Sequence, residues 1–385
     1  MHSLDGELTF QPYGKDRSHH INSISRAKLN IDLLHLAEAD FNVPIYFNQK
    51  LIDADFKNKR FTFEDQNSNR TKTVTSNITF GTDGAFSVLR KKLCELSGFE
   101  NNEIDSGAAY KELTILPNAN GQHRMEKNAL HIWPRKQFML IALPNWDGSF
   151  TVTLFLPKMG ENSFETLQSP QDVTRFFERH FPDVVPLLDN LTQTFFENPT
   201  GNLITIKCYP WTSRKKDMLI LGDAAHGVIP FFGQGMNCGF EDVEVLDNLI
   251  EKYPRDHWQE IFSDFEHMRK PRTDAIADMS IENFVEMRDH VGNPKFLLKK
   301  GVEKILENQF PDAYTSRYSM VSFTRTPYDQ AYQIGEIQKE ILLELCQDIQ
   351  KPEEVNLQKA KDLIFHKLIP FQKKIREGKK DELKP

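Results

Sequence analysis

The sequence predicts an α/β chain, α+β overall, on three observations. An apolar run at residues 218–221 ends in Gly222 and Asp223, passes a glycine-rich turn, and resumes at helical spacing as far as Ile250. Upstream, residues 110–116, 129–133, 138–143 and 149–156 are short apolar or alternating runs with turn residues between them, the mark of an antiparallel sheet. Beyond Trp258 the pattern is helical, with Pro271, Gly292-Asn293-Pro294, Pro311 and Pro327 as breaks.

In order along the chain, residues 1–21 are alternating and turn-rich, and predict a hairpin that joins the later sheet. Residues 25–39 predict a helix. Leu29, Leu33, Leu36 and Ala37 share one face, and Ser23 or Ser25 supplies the cap. Residues 43–47, 51–56, 60–64 and 72–75 predict strands, and 78–81 another, closed by Thr82-Asp83-Gly84. Asn145-Trp146-Asp147-Gly148 is the turn of a hairpin. Residues 173–181 predict a short helix. Met236, Phe240, Val243, Leu246 and Ile250 predict the packed face of the helix after the glycine-rich turn. The tail from Gln338 is a charged amphipathic helix region with no site chemistry.

Composition narrows the function. The 385 residues are 39% hydrophobic, enough for two or three domains with real cores. The 29 phenylalanines favour flat apolar pockets for planar ligands. A net charge of −7 offers no basic surplus for nucleic acid or an anionic membrane surface. No apolar run reaches the roughly 20 residues that cross a bilayer. The first residues hold no signal-peptide core. Cys94, Cys208, Cys238 and Cys346 have no CxxC or metal spacing, and read as reduced thiols of a cytoplasmic protein. No Ser-His-Asp set, metal cluster or paired carboxylates stand out, so no side chain is assigned as catalytic.

The chemistry concentrates after residue 218. Gly233 and Gly235 let backbone N–H groups approach a ligand without interference from a Cβ. Free N–H groups at a helix start, with the dipole behind them, favour negative charge. Asp223 at the strand end suits hydroxyl groups. The ligand implied has both hydroxyls and an anionic region. The spacing Gly233-x-Gly235-x-x-x-Gly239 is not the dinucleotide GxGxxG.

The ordered run GDAAH, Pro230, GQGMN and GFED resembles the second FAD fingerprint of the flavin-dependent aromatic hydroxylases. The resemblance implies that Asp223 holds the ribitol chain of FAD and that Gly235, Met236 and Asn237 face the flavin pyrimidine edge. FGTDGAFSVLR, residues 80–90, resembles the DG fingerprint of the same family, with Asp83, Gly84, Ser87 and Arg90 at its positions. That segment implies contact near the FAD pyrophosphate and with NADPH. By the same resemblance Arg26 reaches FAD, although a solvated first-turn Arg is the bland alternative, and Leu51 touches the adenine part. His226 is read as a turn-capping histidine, not a base.

QPYGKD, ALHIWPR, MLIALPN, FTVTLFLP, PFFGQGMN, IENFVEM and RYSMVSF run in order to about residue 340 and resemble the L-kynurenine-hydroxylating branch of the family, in its soluble bacterial form. The resemblance implies an FAD- and NADPH-dependent monooxygenase of tryptophan degradation and de novo NAD biosynthesis. Its members act through a flavin C4a-hydroperoxide formed with O2. Tyr13, Asn283 and Tyr318 would bind the amino-acid end of kynurenine, and Pro230, Phe231 and Phe232 the ring. Glu112 is a candidate polar pocket residue.

The implied architecture is a Rossmann-like FAD-binding domain from 1–95 and 205–270, an antiparallel-sheet substrate domain at 96–204, and a helical region at 271–385. The family's first fingerprint, a strand followed by GxGxxG, is absent from the sequence. The resemblance therefore implies a chain shortened by at least one βαβ unit of roughly 30 residues. A substrate-carboxylate Arg would be lost with it. Another aromatic acid or amine as substrate, and a shortened chain that binds FAD poorly, stay open.

Overall fold

The structure is a computed structural model, and it describes residues 1–10, 19–289 and 294–382. In chain order the elements are α1 (Arg26–Ala39), β1 (Gln49–Asp55), β2 (Arg60–Asp65), β3 (Thr71–Thr75), β4 (Thr79–Gly81), α2 (Val88–Leu93), β5 (Glu100–Ile115), β6 (His131–Arg135), β7 (Phe138–Pro144) and β8 (Phe150–Pro157). There follow α3 (Pro170–His180), α4 (Leu191–Glu197), β9 (Thr200–Tyr209), β10 (Met218–Ile220), α5 (Asp223–His226), α6 (Gly235–Lys252) and α7 (Trp258–Asp289). The helices α8 (Pro294–Gln309), α9 (Arg317–Phe323), α10 (Tyr328–Leu345), α11 (Leu357–Leu363) and α12 (Ile369–Glu382) complete the chain. The chain forms two compact units, the first over Met1–Gln11, Ile21–Asn77 and Glu103–Thr205, the second chiefly over Ile78–Asn102 and Ile206 onward.

The first unit is built on a sheet in the order β6-β7-β8-β5-β9. Pairing is antiparallel from β6 to β5, with Ile141 opposite Thr153 and Glu112 opposite Thr153 on the other side. β8 lies between two neighbours and is buried along most of its length. Leu140, Ala142, Val152, Leu154 and Trp133 pack against Val173, Phe176 and Phe177 of α3 and against Phe181 and Phe195. Each fully buried Leu, Val or Phe among them is worth roughly 1.5–3 kcal/mol. Ser169 and Asp172 form a capping box that starts α3, with Pro170 in its first turn. The N-terminal segment folds back on itself, His2 opposite Leu8, and the His2 amide donates to Ile132 at the sheet edge. A separate three-stranded sheet runs β1-β2-β3.

Several expectations need correction in this unit. Residues 43–47 are not a strand: Asn42 and Asn48 bracket them with positive φ, and Pro44 lacks an N–H. α1 forms, with Ser25 capping Lys28, but Leu33 and Leu36 are exposed and none of its residues is buried. β9 has no counterpart among the expected strands. β5 begins ten residues before the expected 110, because its first part is polar and exposed.

The second unit holds the parallel pair β4–β10 and a helical core. Phe232, Cys238, Ile276, Met279, Leu306, Ile341, Ile364 and Leu368 belong to one apolar cluster. α7 runs unbroken through Pro271, against expectation. The residues around that position, Arg269, Thr273 and Ile276, are fully buried, and this packing holds the helix across the missing N–H. Of the expected packed face of α6, only Leu246 is buried. Cys238, Asp242, Val245, Leu246 and Leu249 are buried, while Met236, Phe240, Val243 and Ile250 are exposed. The helix is turned by Asp242, whose buried partners outweigh the apolar stripe. Among the described residues, no helix is long and apolar enough to cross a membrane.

Candidate functional site

β4 and β10 lie side by side in parallel, Leu219 opposite Phe80 and Ile220 opposite Gly81. Each strand ends in an acid-containing turn that starts a helix. After β4, Asp83 Oδ2 accepts the Val88 amide at 2.7 Å and the Leu89 amide at 3.3 Å, so Asp83 caps α2. Ser87 accepts the Arg90 amide, and the buried Arg90 guanidinium donates to Ala224 and Ala85 carbonyls. After β10, Gly222 adopts φ +60°, ψ −146°, a conformation that glycine alone takes readily. Asp223 follows, exposed, its carboxylate with no hydrogen bond among the described residues.

Beneath this turn lies a buried ionic network. Asp242 Oδ2 is 2.5 Å from His226 Nε2 and accepts the Gly222 amide at 2.9 Å. Its Oδ1 accepts Arg269 Nε at 2.7 Å, and Arg269 pairs with Glu241 at 2.6 Å. Burial opposes charge on His226 and Asp242, but each holds the other ionised. Asp242 pushes His226 up to about 10. His226 and Arg269 keep the Asp242 carboxyl below its ordinary value. His226 is thus no turn cap but an ion-pair partner of α6. The signal in the sequence was the GFED string, which sets an acid four residues after Cys238 on the packed face.

α6 begins openly. Gly233 takes a left-handed conformation at φ +65°, and Gln234 caps the helix only with its backbone. The Gln234 side chain is engaged elsewhere: its Oε1 accepts Tyr328 Oη at 2.9 Å and Asn237 Nδ2 at 3.1 Å. Gln234 and Tyr328 were not among the expected site residues. The first-turn amides around Gly235, Met236 and Asn237 have no side-chain cap, and Met236 and Asn237 are exposed.

Just before this helix, Pro230–Phe232 makes a tight helical turn. Asn283 Nδ2 donates to the Phe231 carbonyl at 2.6 Å. Phe231 packs on Phe284 at 4.6 Å between ring centres, and Phe232 stacks on Tyr318 at 5.8 Å. Burial raises the Tyr318 phenol above its ordinary value, with the Ser322 hydrogen bond opposing. Pro230, Phe231, Phe232, Asn283 and Tyr318 are therefore brought together. Tyr13 lies outside the described residues. Arg26 and Leu51 belong to the first unit, where Arg26 pairs with Glu112 at 3.0 Å.

A family model described as "FAD binding domain" matches residues 13–280. The chain is 47% identical over 382 residues to a kynurenine 3-monooxygenase of Myxococcus xanthus, covering 99% of this chain and 82% of that protein. The chain belongs to the kynurenine 3-monooxygenase family. A kynurenine 3-monooxygenase of Dictyostelium discoideum is 42% identical, with 96% of this chain and 81% of that protein covered. Among solved structures, a tetrameric 2-methyl-3-hydroxypyridine-5-carboxylic acid oxygenase superposes with a TM-score of 0.56 at 20% identity over 70% of this chain and 69% of its own. Klebsiella pneumoniae HpxO with FAD and uric acid gives 0.54 at 16% over 86% and 72%. At these identities the likeness is one of fold. The kynurenine 3-monooxygenase family uses FAD, and the site fits that group: a free carboxylate beside Gly222 for hydroxyls, and the uncapped start of α6 for the anionic ring edge.

Proposed function

We propose that this chain hydroxylates L-kynurenine to 3-hydroxykynurenine, using FAD, NADPH and O2. The observation that carries the reading is the 47% identity to the Myxococcus xanthus kynurenine 3-monooxygenase across 99% of the chain. When bound, FAD supplies the redox chemistry that takes hydride from NADPH and delivers one oxygen atom of O2 to the ring.

The residues of this chain bind, orient and exclude water. Asp223 holds the ribityl hydroxyls, and the amides of Gly235, Met236 and Asn237 stabilise negative charge at the pyrimidine edge. Asp83 fixes the α2 start near the pyrophosphate. Pro230, Phe231 and Phe232 shape an apolar slot for the aminophenyl ring, while Asn283 holds the Phe231 carbonyl so that the slot keeps its form. Tyr318, a neutral donor at physiological pH, and Tyr13 recognise the amino-acid end.

By role, 1–95 and 205–270 carry the nucleotide, 96–204 is the substrate sheet and 271–385 a helical region. Packing divides the chain differently, since Ile21–Asn77 groups with the sheet. The compartment assigned is the cytoplasm, in keeping with four cysteines that stand as thiols rather than disulfides. The test is substrate-stimulated NADPH oxidation with FAD supplied, comparing kynurenine with anthranilate and 4-hydroxybenzoate. Kynurenine alone should stimulate it. A preference for either acid would move the chain to another aromatic hydroxylase.

A further inference from the structure

Asp242 of the GFED string is buried beneath the Asp223 turn, and three donors converge on its carboxylate. Asp242 is fully buried. Its Oδ2 receives the amide of Gly222, the residue before Asp223, and approaches the ring of His226, the last residue of α5. One carboxylate oxygen therefore grips both ends of the four-residue turn that carries Asp223. The other oxygen is held by Arg269, which also donates to the Cys238 carbonyl at 3.0 Å in the first turn of α6. The same guanidinium reaches Glu241, which Arg272 also pairs at 3.1 Å, so three cations face the two carboxylates of the network.

Gly222 sits in a conformation that carries no steric preference of its own to hold it there, because glycine samples positive and negative φ freely. Something outside the turn must fix the peptide. We propose that Asp242 is a positioning residue for FAD binding, setting where Asp223 presents its carboxylate and joining that turn to the open start of α6. The inference rests on the assignment of Asp223 to the ribityl hydroxyls. Asp242 is buried and acts through Gly222 and His226. An Asn at 242 keeps the volume but turns an NH2 toward a position where only donors converge.

The experiment has two readouts. In the first, amide hydrogen exchange is followed on the purified protein without added flavin. Asp242→Asn should speed exchange at residues 222–226 while β7 and β8 keep their protection. In the second, FAD affinity is measured by flavin fluorescence for wild type, Asp223→Asn, Asp242→Asn and the double variant. Asp242→Asn should weaken FAD about tenfold, and the double variant should be no weaker than Asp223→Asn alone, since one acts through the other. If Asp242→Asn fails to fold, His226→Gln releases only the far end of the turn and should show the same pattern at smaller amplitude. Unchanged exchange at 222–226, or fully additive losses of FAD affinity, would overturn the proposal. A wild-type protein that binds no FAD would instead remove the cofactor assignment, and the exchange readout would still decide whether Asp242 holds the turn.

Discussion

Arg90 Nη1 donates to the Ala224 carbonyl oxygen at 2.9 Å. The bond ties the segment after β4 to the turn after β10, and the Arg90 side chain is almost wholly buried. A guanidinium taken out of water needs acceptors, here the Ala224 and Ala85 carbonyls. Arg90→Ala removes the donor from both, at an expected cost of about 2–4 kcal/mol. Urea denaturation measures it. A loss below roughly 0.5 kcal/mol, as at an ordinary surface position, would show that the bond does not hold the turns together.

The His226–Asp242 pair makes the protein sensitive to alkali. Burial opposes the imidazolium, but the Asp242 charge outweighs it and lifts His226 to about 10. The folded pKa lies above the unfolded value of about 6.5, so the contribution is complete below that pH and is lost as pH rises toward 10. Melting temperatures from about pH 6 to about pH 10 should fall more steeply in wild type than in His226→Gln. Parallel profiles would contradict the pairing.

The first unit carries the opposite sensitivity. His2 Nδ1 lies 2.8 Å from Asp183 and its Nε2 2.9 Å from His131 Nδ1, with the His2 ring stacked on Trp133. Burial holds both imidazoles below their ordinary value, against the pull of Asp183 on His2 and of the Glu126 carbonyl and charge on His131. Protons then favour the unfolded chain. Stability is present above about pH 6.5 and lost as pH falls through the lowered values. Hydrogen exchange at the His2–Ile132 contact, measured between about pH 7 and pH 5, should quicken on acidification beyond its intrinsic trend, and less so in His131→Gln.

At the aromatic slot, Tyr318→Phe keeps the stacking on Phe232 and removes only the hydroxyl. If that hydroxyl recognises the amino-acid end, KM for kynurenine should rise about tenfold, while loss of its bond with Ser322 should cost only about 1 kcal/mol of stability. An unchanged KM would leave Tyr318 as packing alone. Asn283→Ala releases the Phe231 carbonyl, and should lower kcat and raise KM together because the slot loses its shape.

What the sequence made legible was local. Asp223 at a strand end, the glycine turn and the start of α6 are adjacent in the chain, and their chemistry is read from neighbours. The Asn145–Gly148 turn between β7 and β8 belongs to the same class. What it hid was non-local or masked by polarity. Asp242 meets His226 across 16 residues and Arg269 across 27, and an acid on a helix reads by default as solvated. The same buried acid turns α6, so that Phe240 and Val243 of the expected face are exposed and only Leu246 of it is buried. Pro271 predicts a helix break because propensity is local, whereas the burial of Arg269 and Thr273 that holds α7 together is tertiary. The first half of β5 has no alternation to detect because both of its faces are largely exposed.

The most direct measurement supplies the purified protein with FAD, NADPH, O2 and L-kynurenine and identifies the product by mass and by position of oxygen insertion. The expected result is kynurenine carrying one added oxygen atom at ring carbon 3, with formation sharply reduced in Asp223→Ala. Oxidation of NADPH that kynurenine does not stimulate, or product formation indifferent to Asp223, would contradict it.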